Sequence, residues 1–357
     1  MTRSCALKCL HCRAEAVSER DPRELSTDEA YRLLREARRF GQPVVVLTGG
    51  DPLRRSDAPD IVEYGAGLGL KMALTPSGTR EVTPEILITL KKKGLSRLAV
   101  SLDGSTEKIH DGFRRVEGSY QWTLAIIRWA NQLGLPVQIN TTLTRHNLGD
   151  IDALFGLLSS LKIALWSVFF LVPVGRGKLE DGVRGRDYER LFHKMVEFSK
   201  DSAFDIKSTE APHYRRVVVQ SGKKNGAHAS ACFGGTDPSS CDATGGIGRA
   251  SKGVNDGNGF VFISHTGEIF PSGFLPLAAG NVREDSLVEV YRHSDLFRQI
   301  RDTSRLKGKC GVCEYRSICG GSRARAFAVQ GDMMASDLFC VHVPKGYQVS
   351  DEEMKFW

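Results

Sequence analysis

Three cysteines stand within eight residues near the start of the chain, in Cys5-Ala6-Leu7-Lys8-Cys9-Leu10-His11-Cys12. Whatever holds these thiols together also fixes the loop between them, so this stretch constrains the fold more than any other. A CX3CX2C spacing can wrap one face of a four-iron cube, binding three irons and leaving the fourth open. Zinc is the competing reading. A structural zinc site takes four protein ligands, no fourth cysteine lies nearby, and His11 could ligate in principle.

The other cysteines are Cys232, Cys241, Cys310, Cys313, Cys319 and Cys340, so the total is odd, at nine, and residues 13–231 contain none. Tight clusters, an odd count and no apolar leader fit metal ligation better than a disulfide framework. No stretch approaches the roughly 18 consecutive apolar residues of a membrane span, and the chain is expected to be soluble and cytoplasmic, with no membrane partner. Its 357 residues suit one large α/β domain with an appendage, or two ordinary domains. A net charge of +7 would suit an anionic partner, yet the cations are spread along the chain, which reads as solvated faces and disfavours nucleic acid.

From residue 26 the sequence alternates between helix and strand signals. Ser26-Thr27-Asp28-Glu29 is a capping box, Ala30, Leu33, Leu34 and Ala37 follow at helical spacing, and Gly41 stops the helix. Pro43-Val44-Val45-Val46-Leu47-Thr48 then reads as a buried parallel strand, ending in Gly49-Gly50-Asp51-Pro52. Further strands are expected at 71–75, 97–102, 136–143 and 165–171, and helices at 83–94, 119–133 and 148–161. Polar and glycine residues gather after each strand, which predicts a parallel βα barrel or open sheet whose working face lies at the strands' C-terminal ends. Beyond about residue 200 the character changes: 222–259 is rich in glycine, serine and asparagine, 259–270 reads as a hairpin around His265-Thr266-Gly267, and a helix is expected over 286–300. The domain boundary falls near residue 210.

The cysteine loop, with His11 in the aromatic slot before the last cysteine, together with Gly49-Gly50-Asp51-Pro52 after a strand, resembles the radical S-adenosylmethionine (radical SAM) superfamily. The resemblance implies a partial (β/α)6 TIM-like barrel. Its first strand is apparently missing here, because the family places a strand before the cysteine loop and only residues 1–4 stand there. It also implies a [4Fe-4S] cluster on Cys5, Cys9 and Cys12 whose open iron is chelated by SAM. The GGDP stretch matches the family's GGEP motif with Asp for Glu, and its glycines would let backbone carbonyls approach the SAM ammonium group. By the same similarity Thr75, Ser77, Ser101, Asp103, Asn140, Thr142 and Val174 fall where family members contact SAM. Taken singly, such polar residues are more often strand-end caps.

Near the other end stand Cys310-Gly311-Val312-Cys313, Cys319 and Cys340. Without context these spacings would equally suggest a zinc ribbon. After a radical SAM barrel they resemble the small irregular iron–sulfur extension called SPASM or twitch, as in pyrroloquinoline quinone and mycofactocin maturases and heme b synthases. A full SPASM domain has further cysteines where this chain carries Ser272 and Arg323, so one auxiliary [4Fe-4S] cluster on Cys310, Cys313, Cys319 and Cys340 is expected. The implied division is a barrel over 1–210 and an auxiliary-cluster domain over 211–357. The implied activity is reductive cleavage of SAM to a 5′-deoxyadenosyl radical that abstracts hydrogen from a tetrapyrrole (heme precursor) or a ribosomal peptide. A flavodoxin or ferredoxin would be the reductant, and the auxiliary cluster would transfer an electron. Arg114, Arg115, Arg323 and Arg325 would suit a carboxylate-rich tetrapyrrole. No catalytic acid or base can be named. The alternative is a zinc-binding, non-catalytic α/β protein associated with nucleic acid.

Overall fold

The computed structural model of the protein describes residues 1–224 and 254–357. Cys232, Cys241 and most of the glycine-, serine- and asparagine-rich stretch 222–259 lie outside the described residues. Six parallel strands run side by side in sequence order and curl into a half-barrel: β1 Val44–Leu47, β2 Lys71–Leu74, β3 Leu95–Ser101, β4 Val137–Leu143, β5 Leu165–Phe170 and β6 Asp205–Thr209. Helix α1 Thr27–Arg38 precedes β1, and helices α2 Ala58–Gly67, α3 Pro84–Lys92, α4 Glu107–Arg114, α5 Ser119–Gln132, α6 Ile151–Ser160 and α7 Gly185–Asp201 occupy the crossovers. The expected capping box at Ser26 is present, and Thr83 caps α3 ahead of Pro84.

Strand alternation decides what reaches the lumen. In β4, Val137, Ile139, Thr141 and Leu143 are buried while Gln138, Asn140 and Thr142 are only half-buried. The outward set packs with Leu74, Leu98, Val100, Trp166 and Val168 and the helices into one core, leaving the polar set on the opposite, lumen face. Thr141 tolerates burial because its hydroxyl donates to Leu102 O at 2.7 Å and accepts from Trp166 Nε1 at 2.9 Å.

Five of the six strands stand where the sequence places them. The sixth comes from the C-terminal side, at β6, and no sheet strand precedes the cysteine loop among the described residues; Ser4 makes only an isolated bridge to Val17. The stretch around His110 lies in α4, with His110, Phe113 and Arg114 buried.

After α8, Tyr214–Lys224, the described chain resumes in a small three-stranded sheet, β7 Phe262–Ile263, β8 Glu268–Phe270 and β9 Gly280–Asn281. The hairpin is the expected one. The single helix expected over 286–300 is instead two, α9 Leu287–His293 and α10 Asp295–Arg301. Ser294 sits between them in extended conformation and accepts from Phe297 N, so a mid-helix serine acts as an N-cap. Short helices α11 Gly308–Val312, α12 Arg323–Gln330 and α13 Asp351–Met354 complete the chain. Among the described residues no helix is long and apolar enough to cross a membrane.

Aromatic rings fill the outer wall behind β5. Phe192 of α7 is fully buried against Phe170, Tyr188, His213 and Tyr214. Phe192→Ala is expected to cost about 3–5 kcal/mol, because the ring is lost and the cavity cannot collapse; the urea midpoint of the unfolding curve measures it.

Candidate functional site

The two glycines after β1 are needed for a close approach of backbone to backbone. Gly50 N donates to Thr2 O at 2.6 Å and Asp51 N to Ser4 O at 2.7 Å, so residues 2–4 lie directly against the turn. Gly49 has φ +149°, and a Cβ there would stand 2.2 Å from Thr2 O; one at Gly50 would stand 2.4 Å from Ser4 O. Their first effect is thus to seat the segment that carries Cys5. From the other side, Lys8 N and Leu10 N donate to the carbonyls of Arg114 and Phe113 at the end of α4, both at 3.2 Å.

Each sulfur of the loop has a donor. Leu7 N lies 3.4 Å from Cys5 Sγ, Arg114 Nη1 3.5 Å from Cys9 Sγ, and Ala16 N 3.4 Å from Cys12 Sγ. Donors of this kind stabilise thiolates and tune clusters. Ser77 stands 3.0 Å from Cys5 Sγ and donates to Gly50 O at 3.1 Å, tying the end of β2 to the loop. His11 stacks on Phe113 with centroids 4.5 Å apart. Burial, then Arg114 and Arg176, push its pKa well down, so the ring is neutral, and its Nδ1 has no partner.

Asp51 is wholly buried. Its Oδ1 accepts from Leu53 N at 3.1 Å, capping the turn Pro52–Arg54, while Oδ2 has no hydrogen-bond partner. Burial raises its carboxyl to about pH 6. A buried carboxylate oxygen with nothing donating to it fits a cationic ammonium group, which is what SAM would present.

The remaining expected contacts fall into two sets. Thr75, Ser101, Asn140 and Thr142 are half-buried at or near the C-terminal ends of β2, β3 and β4, with Asn140 beside Ser101 in register and accepting from Gln138 Nε2. Asp103, in contrast, is committed to protein: its carboxylate pairs with Arg114 and accepts from Thr142 N at 2.8 Å. Val174 is half-buried and packs on the apolar cluster around Val172 and Leu275. The next residues grip the cysteine loop. Arg176 N donates to Cys12 O at 3.1 Å, Nε to Cys9 O at 3.0 Å and Nη1 to Ala16 O at 3.0 Å. A Cβ on Gly175 would meet Cys12 O at 2.6 Å. The glycines flanking Arg176 were the available signal for this contact.

The arginines expected to face a carboxylate-rich substrate are mostly occupied. Arg114 pairs with Asp103, Arg323 donates to the carbonyls of Met333 and Ala335 at 2.8 Å, and Arg325 pairs with Asp337. Arg115 alone of the four is exposed.

Cys310, Cys313, Cys319 and Cys340 line one cavity, together with His213 and His342. Gly321 N approaches Cys319 Sγ and Tyr315 N approaches Cys313 Sγ, each at 3.4 Å. Burial, then the neighbouring Cys310 sulfur, pushes the Cys340 thiol up to about 12, and Cys319 is raised in the same way by burial and its cysteine neighbours. Four thiols converging on one cavity are the donor set of a metal centre, whose cation would offset the charge of their thiolates. Glu314 and His342, bonded at 3.0 Å, lie with Cys313 in a second possible donor group. At the positions lacking thiols, Ser272 Oγ stands 3.5 Å from Glu210 Oε1 and Arg323 Nη2 lies 3.9 Å from Cys310 Sγ.

The chain is similar to known proteins along most of its length. Residues 1–158 match the radical SAM superfamily model. The chain is 41% identical to an AdoMet-dependent heme synthase of Methanosarcina barkeri, covering 96% of this chain and 95% of the relative. It is 38% identical to one of Nitratidesulfovibrio vulgaris over 97% and 91%, and 27% identical to the PqqA peptide cyclase of Rhizobium meliloti over 96% and 86%. In fold it resembles Streptococcus suis SuiB bound to S-adenosylmethionine, with TM-score 0.72 at 19% identity over 96% of this chain and 76% of that one. Near-full-length likeness to the heme synthases, on a half-barrel with its three-cysteine loop at the strand ends, makes this chain a member of the radical SAM superfamily and an iron–sulfur-dependent enzyme.

Proposed function

We propose that the protein reductively cleaves SAM at a [4Fe-4S] cluster on Cys5, Cys9 and Cys12 and acts on a tetrapyrrole precursor of heme, with one auxiliary [4Fe-4S] cluster on Cys310, Cys313, Cys319 and Cys340. The observation that carries this is the presence of two separate cysteine sites on a chain that aligns almost end to end with heme synthases. When bound, SAM and its cluster would supply a 5′-deoxyadenosyl radical. On this reading a propionate side chain loses a hydrogen atom, carbon dioxide and one electron and becomes a vinyl group. A cluster held by Cys310, Cys313, Cys319 and Cys340 would accept that electron, and a flavodoxin or ferredoxin would supply the one used at Cys5, Cys9 and Cys12.

The chain's own groups prepare the site. Asp51 and the Gly49-Gly50 backbone face the amino acid end of SAM; Ser77, Thr75, Ser101, Asn140 and Thr142 offer hydrogen-bonding groups along the strand ends; Pro52 fixes the turn and Val174 contributes an apolar wall. His11, neutral and stacked, shields the loop. Residues 1–210 form the barrel and 211–357 the cap on this reading, and the apolar cluster of Val172, Leu275, Ile300 and Met334 seals their junction against water.

Anaerobic reconstitution is expected to give about eight irons per chain, at about four per cube, and dithionite with SAM to give 5′-deoxyadenosine. Cys5→Ala abolishes 5′-deoxyadenosine formation. Cys319→Ala keeps it while losing porphyrin product and the second cluster's iron. About twelve irons, or an iron-replete sample making no 5′-deoxyadenosine, overturns the assignment.

SAM affinity should also depend on pH through Asp51. Burial pushes its carboxyl up to about 6, and only the ionised form accepts hydrogen bonds at both oxygens from the amino group of SAM. Affinity therefore falls as the pH drops below about 6. Asp51→Asn binds SAM more weakly at pH 8 and flattens the dependence, which anaerobic equilibrium binding over pH 5–8 will show.

A further inference from the structure

Arg13 follows the third cysteine of the loop directly, and its backbone is locked, since Gly175 passes so close that a Cβ there would stand 2.5 Å from Arg13 O. The guanidinium crosses from the loop to the cap. Nη1 donates to Gly273 O at 3.1 Å, and Cζ lies 4.4 Å from the ring centroid of Phe262 and 5.6 Å from that of Phe274. Phe274 in turn stands 6.3 Å from Phe169, which neighbours Thr142 and Thr209 across β5. This cation therefore sits where the cysteine loop, the ends of the central strands and the cap meet.

Its pairing sets it apart. Arg114, Arg216 and Arg325 each hold a carboxylate, and Arg176 and Arg323 hold backbone carbonyls. Among the described residues Arg13 has no carboxylate partner, and no hydrogen bond reaches its Nε or Nη2. A half-buried guanidinium with two unused donor groups is built for planar, bidentate recognition of a carboxylate. The rings beside it offer the flat apolar surface that a conjugated macrocycle packs against.

Resting on the tetrapyrrole reading above, we propose that Arg13 is the anchor for a substrate propionate, with Phe262 and Phe274 as the wall beside it, and that it sets the enzyme's preference for carboxylate-bearing porphyrins. It is a binding and specificity residue: it transfers neither electron nor proton. Gly273 belongs to the same device, because a Cβ there would stand 2.8 Å from Arg13 Cζ and displace the guanidinium without removing its charge.

The test is an anaerobic absorbance titration of the reconstituted full chain, with SAM present, using iron mesoporphyrin and its dimethyl ester. These share one macrocycle and differ only at the two carboxylates, ionised in one and methyl-capped in the other. The wild type is expected to bind the diacid about 10- to 100-fold more tightly than the diester. Arg13→Gln removes that preference by weakening the diacid alone, Arg13→Lys restores part of it, and Gly273→Ala reduces it with the charge retained. If Arg13→Gln weakens both porphyrins equally, the residue only props the cap on the loop and the inference fails. It fails equally if the preference survives in Arg13→Gln. A wild type that binds both porphyrins alike refutes the anchor while leaving the tetrapyrrole reading standing, whereas one that binds neither refutes both.

Discussion

One buried ion pair joins the parts of the first site. Asp103 closes β3 and is fully buried, and Arg114 ends α4 almost out of reach of solvent. The guanidinium contacts both the Asp103 carboxylate and Cys9 Sγ, while the carboxylate also holds Thr142 N. Asp103 and the Cys9 sulfur both favour the charged form of Arg114, so a fixed cation stands beside a sulfur that must be a thiolate to bind iron. Deleting either member would leave an uncompensated charge in the interior, a larger loss than the net value of the pair itself. Strand end, helix end and cysteine loop are therefore held in a single arrangement, and the carbonyls of Phe113 and Arg114 extend the grip along the loop.

A second polar network holds the cap. Glu210, just past β6, adopts φ +57°, a conformation that non-glycine residues adopt only when their surroundings demand it. Its backbone carbonyl accepts from Arg325 and its carboxyl from Ser322 Oγ, both at 2.7 Å, while Arg325 pairs bidentately with the buried Asp337 and lies 5.0 Å from the ring centroid of Tyr188 on α7. Burial, then the nearby Asp256, pushes the Glu210 carboxyl well above the usual carboxylate range. Buried networks of this kind fix one relative placement more sharply than apolar packing does, and here the placement is that of the second cysteine site against the barrel.

Much of this was legible because spacing and period survive in one dimension. The cysteine triplet, the GGDP turn, five strands and the hairpin all announce themselves locally. What was not legible depends on partners distant in sequence. Asp205-Ile206-Lys207-Ser208-Thr209 lacks the apolar run of its neighbours because only Ile206 packs into the core, so β6 reads as loop. Asp103 sits at a strand end like a cofactor contact, and only the fold shows it spent on Arg114. The same holds for Arg323 and Arg325, whose charges look available until Asp337 and the carbonyls of Met333 and Ala335 are brought beside them. Arg13 is the converse case: nothing in its neighbours along the chain marks it, and its significance lies in having no carboxylate partner among the described residues.

The two positions that lack thiols can be weighed in the same terms. Ser272 Oγ accepts from Phe274 N and faces Glu210, and Ser322, one residue before Arg323, donates to the same carboxyl group. Arg323 turns the other way, filling its donors with carbonyls and reaching Cys310 Sγ. The region between Ser272 and α12 is thus occupied by a hydrogen-bonded set whose geometry is tied to the strained backbone at Glu210. A cluster there would have to displace that carboxyl group together with the Asp256 contact to Ala324 N, and so dismantle the network that seats the cap. Among the described residues, the polar set thus occupies the two positions that lack thiols and ties them to the same backbone that seats the C-terminal region.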